Sequence, residues 1–257
     1  MKRFDNKVVI VTGAGTGIGY EIARKFAQEG AAVVLNDLDE TLTKKAAGTI
    51  EKEGGICMGI AGDAGNVAFI NELVDKTVDR FKRLDIAIPN AGITLFDSFL
   101  EYSEEKLQKV IQLNIVGSFF LLQAASKAMI RQQIKGKLIV MSSVTGHQAH
   151  KDLAAYGLTK AGLEMLAKSL VMELSPYGIN INGIAPGATK TERTVSEINY
   201  ESVWSQITPM GRPAATADIA NVALFLASGD ADHITGQTII VDGGWTSVSP
   251  GPESVST

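Results

Sequence analysis

Residues 8–19 read Val-Val-Ile-Val-Thr-Gly-Ala-Gly-Thr-Gly-Ile-Gly, an apolar run that ends with glycine at every second position and then passes into a helical pattern. No other stretch restricts the fold of the chain as tightly. A strand that stops at glycines and restarts as a helix leaves bare backbone N–H groups at the helix N-terminus. Those groups and the helix dipole favour negative charge, and glycine lets that charge come close. Such a unit opens a doubly wound α/β sheet and holds a dinucleotide by its pyrophosphate. The candidate positions are Gly13, Gly15, Thr16, Gly17, Ile18 and Gly19. The spacing departs from G-x-G-x-x-G, since Ile18 stands where the third glycine would. A tight turn without a ligand is the competing reading.

The rest of the chain continues the alternation. Short runs rich in Val and Ile at Val8–Thr12, Ala32–Asn36, Ile56–Ile60, Ile86–Pro89, Leu138–Ser142, Ile179–Ile184 and Thr238–Val241 lack strict polar alternation, as strands buried on both faces do. Between them lie amphipathic stretches. In Ile18–Gln28, Ile18, Ile22 and Phe26 recur every fourth position. Leu38–Lys52, Val67–Phe81, Ser103–Arg131, Ala155–Leu174 and Ala217–Ala227 read as further helices. The expectation is an α/β protein: one Rossmann-type domain over residues 1–257, a doubly wound parallel sheet of about seven strands with helices on both faces. Two regions break the rhythm. Residues 189–213 have mixed polarity and no clear strand, and are expected to form a substrate lid. The tail, 246–257, is rich in Ser and Pro and is expected to be flexible or to pack on a neighbouring subunit.

Composition excludes several classes. A net charge of −4 gives no basic field for nucleic acid. One cysteine, Cys57, cannot form an internal disulfide, and with three histidines it nearly excludes a structural zinc site; no metal is expected. No apolar stretch approaches a spanning length or a signal peptide's apolar region, so a cytoplasmic protein without a membrane partner is expected.

A second clue to the ligand follows the second strand. Asp37, followed by Leu38, lies near the offset at which an acidic residue meets the adenosine ribose hydroxyls. A carboxylate there repels the 2′-phosphate of NADP, and no Arg or Lys stands in the glycine turn or directly after Asp37. NAD is therefore the expected cofactor. A plain strand-end aspartate is the alternative.

With these residues in view, the chain resembles the short-chain dehydrogenase/reductase family from about Asn6 to Gly244. Thr12–Gly19 matches its T-G-x-x-x-G-x-G turn, which accounts for the unusual glycine spacing. Further landmarks follow in order. Asp63, with Ala64, resembles the adenine contact. Asn90-Ala91-Gly92 resembles the strand end that lines the cofactor, with Pro89 where the family has Asn. Asn114 resembles the family's helix asparagine. Ser143 precedes Tyr156 by thirteen positions, and Tyr156-Gly157-Leu158-Thr159-Lys160 gives Y-x-x-x-K. Pro186-Gly187 with Thr189 and Thr191 resembles the segment that grips the nicotinamide carboxamide. Leu138–Val144, 209–212 and Gly236–Gly244 look like both glucose 1-dehydrogenases and 3-oxoacyl-carrier-protein reductases.

The resemblance implies a catalytic set of Asn114, Ser143, Tyr156 and Lys160, with Tyr156 and Lys160 also touching cofactor. The chemistry suits these residue types. Hydride transfer to a ketone leaves charge on oxygen that a proton must neutralise. A phenol is a weak base near neutrality, but a lysine four residues later shares its helix face and favours the phenolate. Ser143 can donate to the substrate oxygen as charge grows. Asn114 is assigned a water that relays protons from Lys160. On the substrate side, loops 93–96, 146–153 and 189–206 are candidates, with Ser143, Gln148, His150 and Tyr156 as contacts and Phe96, Ile198, Tyr200, Val203 and Trp204 as a cover. The polar run from His147 to His150 tilts the substrate toward a sugar or polyol. In relatives the helices Ser103–Arg131 and Ala155–Leu174 pair between subunits, which implies a homotetramer. The leading reading is an NAD-dependent oxidoreductase of a secondary alcohol or ketone. The alternatives are an NADPH-dependent 3-oxoacyl-thioester reductase and, in a different class, a non-catalytic dinucleotide sensor.

Overall fold

The computed structural model describes residues 2–195 and 197–248; of the tail, residues 249–257 lie outside the described residues. Seven parallel strands form one sheet in the order β3-β2-β1-β4-β5-β6-β9. They are β1 (Val8–Val11), β2 (Ala32–Asp37), β3 (Ile56–Ala61), β4 (Ile86–Ile88), β5 (Lys137–Met141), β6 (Asn180–Pro186) and β9 (Thr238–Val241). The apolar runs read from the sequence are these seven strands. Because side chains alternate across a strand, β1 feeds two cores. Val9 and Val11 pack with α1 (Gly17–Gln28), α2 (Glu40–Lys52) and α8 (Thr216–Ala227), through Ile22, Phe26, Ile50 and Leu224. Ile10 faces α3 (Val67–Phe81), α5 (Ser118–Arg131) and α6 (Ala154–Leu174), through Leu73, Leu121 and Leu163. Each fully buried aliphatic side chain stabilises the fold by roughly 1.5–3 kcal/mol, so helices on both faces are needed to cover so apolar a sheet.

The sheet order places a switch between β1 and β4. The chain winds outward through β2 and β3, then returns to the far side of β1 for β4, β5 and β6. The loops leaving β1 and β4 therefore diverge and leave a crevice at the carboxyl ends of the strands.

Three expectations need correction. The stretch Ser103–Arg131 is not one regular helix: α4 (Glu104–Ile111) and α5 are separated by a π-helical segment, Gln112–Gly117. At its end Gly117 packs so closely that a Cβ there would run into the backbone of Ala64 and Gly65. The continuous run Glu104–Arg131, at 28 residues, does meet the length and apolar content of a membrane span, against the sequence reading, but 56% of its most apolar window is buried inside the protein. Finally, region 189–213 does contain a strand. β7 (Thr189–Lys190) pairs with β8 (Ala214–Ala215), and α7 (Tyr200–Ile207) spans part of the interval between them. These elements are too short for a sequence pattern to register.

Candidate active site

The glycine turn is held open by its neighbours. Gly13 and Gly17 have φ of 60° and 62°, left-handed values that favour glycine. A Cβ on Gly13 would lie 2.7 Å from the Ala91 Cα, so the turn and the end of β4 touch backbone to backbone. Asn90 locks that contact: its Nδ2 donates to the Thr12 and Gly13 carbonyls at 3.0 and 2.8 Å. The Thr12 hydroxyl accepts in return from the N–H groups of Asn90 and Ala91, both at 3.2 Å. β4 ends at Ile88, before Pro89, and this network supports the strand end without the family's first Asn.

At the outer side of the turn, the Gly15 N–H donates to Asp37 Oδ2 at 2.9 Å. Leu38, 74% exposed, follows at the β2 terminus. Exposed Asp63 and buried Ala64 follow the end of β3, with Asp63 Oδ1 accepting from the Gly65 N–H at 2.8 Å. These four residues lie on the β2–β3 side of the turn, away from Tyr156, as the two ends of a long dinucleotide require. The Gly17 N–H, at the start of α1, is occupied by the Glu192 carboxylate at 2.9 Å. An anion from the protein itself thus occupies a donor expected to meet the pyrophosphate. The fit is chemical as well as spatial, because this turn selects negative charge even without a ligand.

On the other side, three elements converge. A Cβ on Gly92, just past β4, would lie 3.2 Å from Asn114 Oδ1 and 3.5 Å from Lys160 Nζ. Lys160 is 5% exposed; its Nζ donates to the Met141 carbonyl at 2.7 Å and lies 5.4 Å from the Tyr156 ring centre. Ser143 begins a short helical turn, and its Oγ accepts from the Thr145 N–H at 3.3 Å, which leaves its own proton to donate outward. Its neighbour Ser142 is committed elsewhere, to the Lys160 carbonyl at 3.1 Å and to Glu164 at 2.7 Å. Asn114, fully buried in the π segment, accepts from the Ile93 N–H at 2.9 Å and donates to the Ile93 carbonyl and the Thr159 hydroxyl. Its side chain therefore tethers the loop after β4 to α6. All three of those bonds are to protein, so a relay water has to find another partner.

Ser143, Tyr156 and Lys160 open on a cleft of about 590 Å³, together with Ile18, Asn90 and Gly92. Pro186, Gly187, Thr189 and Thr191 line its opposite wall. Of the expected substrate contacts, His150 lines the cleft and Gln148 does not; Gln148 is exposed and borders a separate groove with His147. His147 instead faces Glu164 at 3.4 Å. Of the expected cover, Phe96, Tyr200 and Trp204 reach the cleft, while Ile198 is 91% exposed and outside it. Sequence reasoning held Lys151 only within the candidate loop 146–153, without singling it out, and missed Trp245. Trp245 forms a chain of rings with His150 at 5.0 Å and Trp204 at 4.8 Å. The turn that delivers it is fixed by Asp242, which accepts from the Gly244 N–H and from the Thr246 N–H and hydroxyl. Burial raises the Asp242 carboxyl, but these bonds outweigh it and hold the group below the usual carboxylate range. The only sequence signal was the pair Gly243-Gly244, both at positive φ.

A nicotinamide cofactor in this crevice would supply the hydride acceptor or donor. The residues present suit the other part of the chemistry. Tyr156 Oη is placed to take or give the proton of a substrate oxygen, with Lys160 beside its ring and Ser143 on the same cleft as a donor to a developing oxyanion. Trp204 and Trp245 add an aromatic wall to the cleft.

Comparison with known proteins agrees with this geometry. Residues 13–246 match the family model described as enoyl-(acyl carrier protein) reductase. The chain is 34% identical to a diacetyl reductase [(S)-acetoin forming] of Staphylococcus epidermidis, across 93% of this chain and 98% of the relative. It is 33% identical to an L-rhamnose 1-dehydrogenase (NAD(P)(+)) of Sphingomonas sp., across 95% and 98%. A crystal structure of a short-chain type dehydrogenase/reductase from Mycobacterium marinum superposes with a TM-score of 0.90 at 30% identity, across 95% of this chain and 96% of that one. The chain belongs to the short-chain dehydrogenase/reductase family and is an NAD(P)-dependent oxidoreductase of alcohols and ketones.

Proposed function

We propose that this enzyme prefers NAD and interconverts a compact polar secondary alcohol and its ketone, in the size range from acetoin to a sugar. The observation that carries the cofactor preference is the Asp37 carboxylate, held 2.9 Å from the Gly15 N–H at the outer side of the glycine turn. A 2′-phosphate brought to that carboxylate meets like charge, and a close like-charge contact disfavours binding by several kcal/mol where solvent is excluded. The two named relatives act on compact polar molecules, which supports the size class.

The test is steady-state reduction of NAD and of NADP by the purified enzyme with acetoin, sugars, polyols and 3-hydroxyacyl thioesters. NAD is expected to be favoured by about tenfold or more in kcat/KM, with Asp37→Ser narrowing the gap. A preference for NADP with thioesters overturns the reading and installs the 3-oxoacyl-thioester reductase in its place.

We also propose a cytoplasmic homotetramer. Cys57 is buried and unpaired, and burial pushes its thiol up to about 12, which suits a compartment without disulfide chemistry. Leu158, Met165 and Met172 recur every seventh position on α6 and are 62%, 61% and 83% exposed, a stripe suited to pairing with another helix. Mass measurement in solution tests this; a monomer at micromolar concentration contradicts it.

A further inference from the structure

The ionisable groups lining the cleft are, apart from its two phenols, all bases. Lys151, Lys160, Arg193 and His150 line it, and among the described residues no aspartate or glutamate does, although the chain as a whole carries a net charge of −4. Lys160 is engaged with Met141 and Tyr156. Lys151 has no such commitment. It is exposed, and among the described residues its ammonium has no hydrogen-bond or ion-pair partner. The neighbouring Asp152 takes a left-handed φ of 61° and accepts the Asp97 N–H at 3.2 Å, so the chain bends between Lys151 and α6.

The residue before it has unmet capacity too. The Nε2 atom of His150 is buried and lacks a partner. Burial also holds this imidazole below its ordinary pKa, so it stays neutral and can offer one N–H. The Trp245 ring stands beside His150, and Trp204 and Tyr200 continue the row of rings from it. A hydroxyl-rich neutral molecule needs acceptors as well as donors. Among the described lining residues no carboxylate offers an acceptor, and the one amide, Asn90, is committed to the glycine turn. The acceptors left are hydroxyls and backbone carbonyls, whereas every charged group is a donor, and an anion is the complement of such a lining.

We propose that the substrate carries an anionic group, a carboxylate or a phosphate, that pairs with Lys151 and takes a hydrogen bond from His150, while Trp204 and Trp245 cover its carbon skeleton. The substrate class is then a short hydroxy acid with its oxo acid, or a phosphorylated secondary alcohol with its ketone. The inference rests on the reading of this cleft as the secondary-alcohol site.

Matched pairs separate the possibilities: a short 3-hydroxy acid against its methyl ester, and a secondary-alcohol monophosphate against the parent diol. Turnover is followed by NADH absorbance. Binding is followed separately, in the Tyr156→Phe protein with NAD, by tryptophan fluorescence, because both tryptophans of the chain line the cleft. One anionic member is expected to be preferred over its neutral partner by about tenfold, the effect of one good charge-assisted hydrogen bond. Lys151→Gln is expected to collapse that ratio toward one, and Lys151→Arg to keep most of it. The pair that shows the ratio tells carboxylate from phosphate. Equal use of both members of each pair, or a ratio that survives Lys151→Gln, overturns the proposal. An anion preference in fluorescence with no NADH formed from any compound keeps the subsite and removes the secondary-alcohol reading. Turnover without any preference does the reverse.

Discussion

The two sides of the crevice are built differently. The cofactor side is made of backbone: Gly13 against Ala91, Asn90 on two carbonyls, Thr12 on two N–H groups, Gly15 on Asp37. The substrate side is made of side chains from segments far apart in sequence: Lys151 before α6, Trp204 on α7, Trp245 after β9. Backbone contacts at left-handed positions allow few substitutions. A wall of side chains can be re-cut residue by residue while the sheet stays as it is. One side thus serves a ligand that every member of the family shares, and the other serves whatever substrate this chain was selected for.

The comparison can be tested at its hinge first. Tyr156 belongs to both sides, and Tyr156→Phe is expected to lower kcat by roughly 10²–10⁴-fold while the loss of one hydroxyl weakens NADH binding by no more than about tenfold. Retention of more than about a tenth of the rate removes Tyr156 as the proton carrier. Next comes the backbone side alone. Gly13→Ala places a side chain at φ 60° and within 2.7 Å of the Ala91 Cα. It is expected to weaken both NADH binding and global stability, the latter by roughly 1–3 kcal/mol in denaturant titrations. The side-chain wall should answer differently. Trp245→Ala loses two ring contacts, and the expected effect is a rise of about 2–10-fold in substrate KM with NADH affinity and stability little changed. If Trp245→Ala damages cofactor binding as much as Gly13→Ala does, the division fails. The smallest effect is expected at Glu192, just past β7, whose carboxylate holds the Gly17 N–H that a pyrophosphate would compete for. Glu192→Gln should tighten NAD binding by about two- to threefold, measured by calorimetry, since a neutral amide holds an N–H less strongly and repels no phosphate.

What was legible in the sequence follows the same division. Strands buried on both faces print as Val/Ile runs, and a glycine turn prints as glycine, so the sheet, the turn and the order of Ser143, Tyr156 and Lys160 were readable. Interruptions were not. Gln112–Gly117 has helical periodicity on either side, and the close packing of Gly117 on Ala64 within it is a contact between distant segments that periodicity does not carry. Trp245 was missed, and Lys151 was not singled out within its loop, for the same reason: whether a lone aromatic or lysine faces a cleft depends on turns at Asp242 and Asp152 that leave no periodic trace. Gln148 is the opposite case, because proximity to Ser143 in sequence does not decide which side of a loop a residue faces.

The turn that Asp242 ties has a consequence for the order in which the molecule comes into being. The glycine turn is complete by residue 19 and the Tyr156–Lys160 pair by residue 160, but Trp245 stands beyond the last strand of the sheet. A chain emerging from the ribosome therefore has the elements to grip a nucleotide long before it has a wall to select a substrate. A fragment lacking the residues after 241 keeps the turn, the tyrosine and the lysine while its cleft stands open on one side. In that fragment the tyrosine and lysine are present, and the wall that Trp245 forms is not.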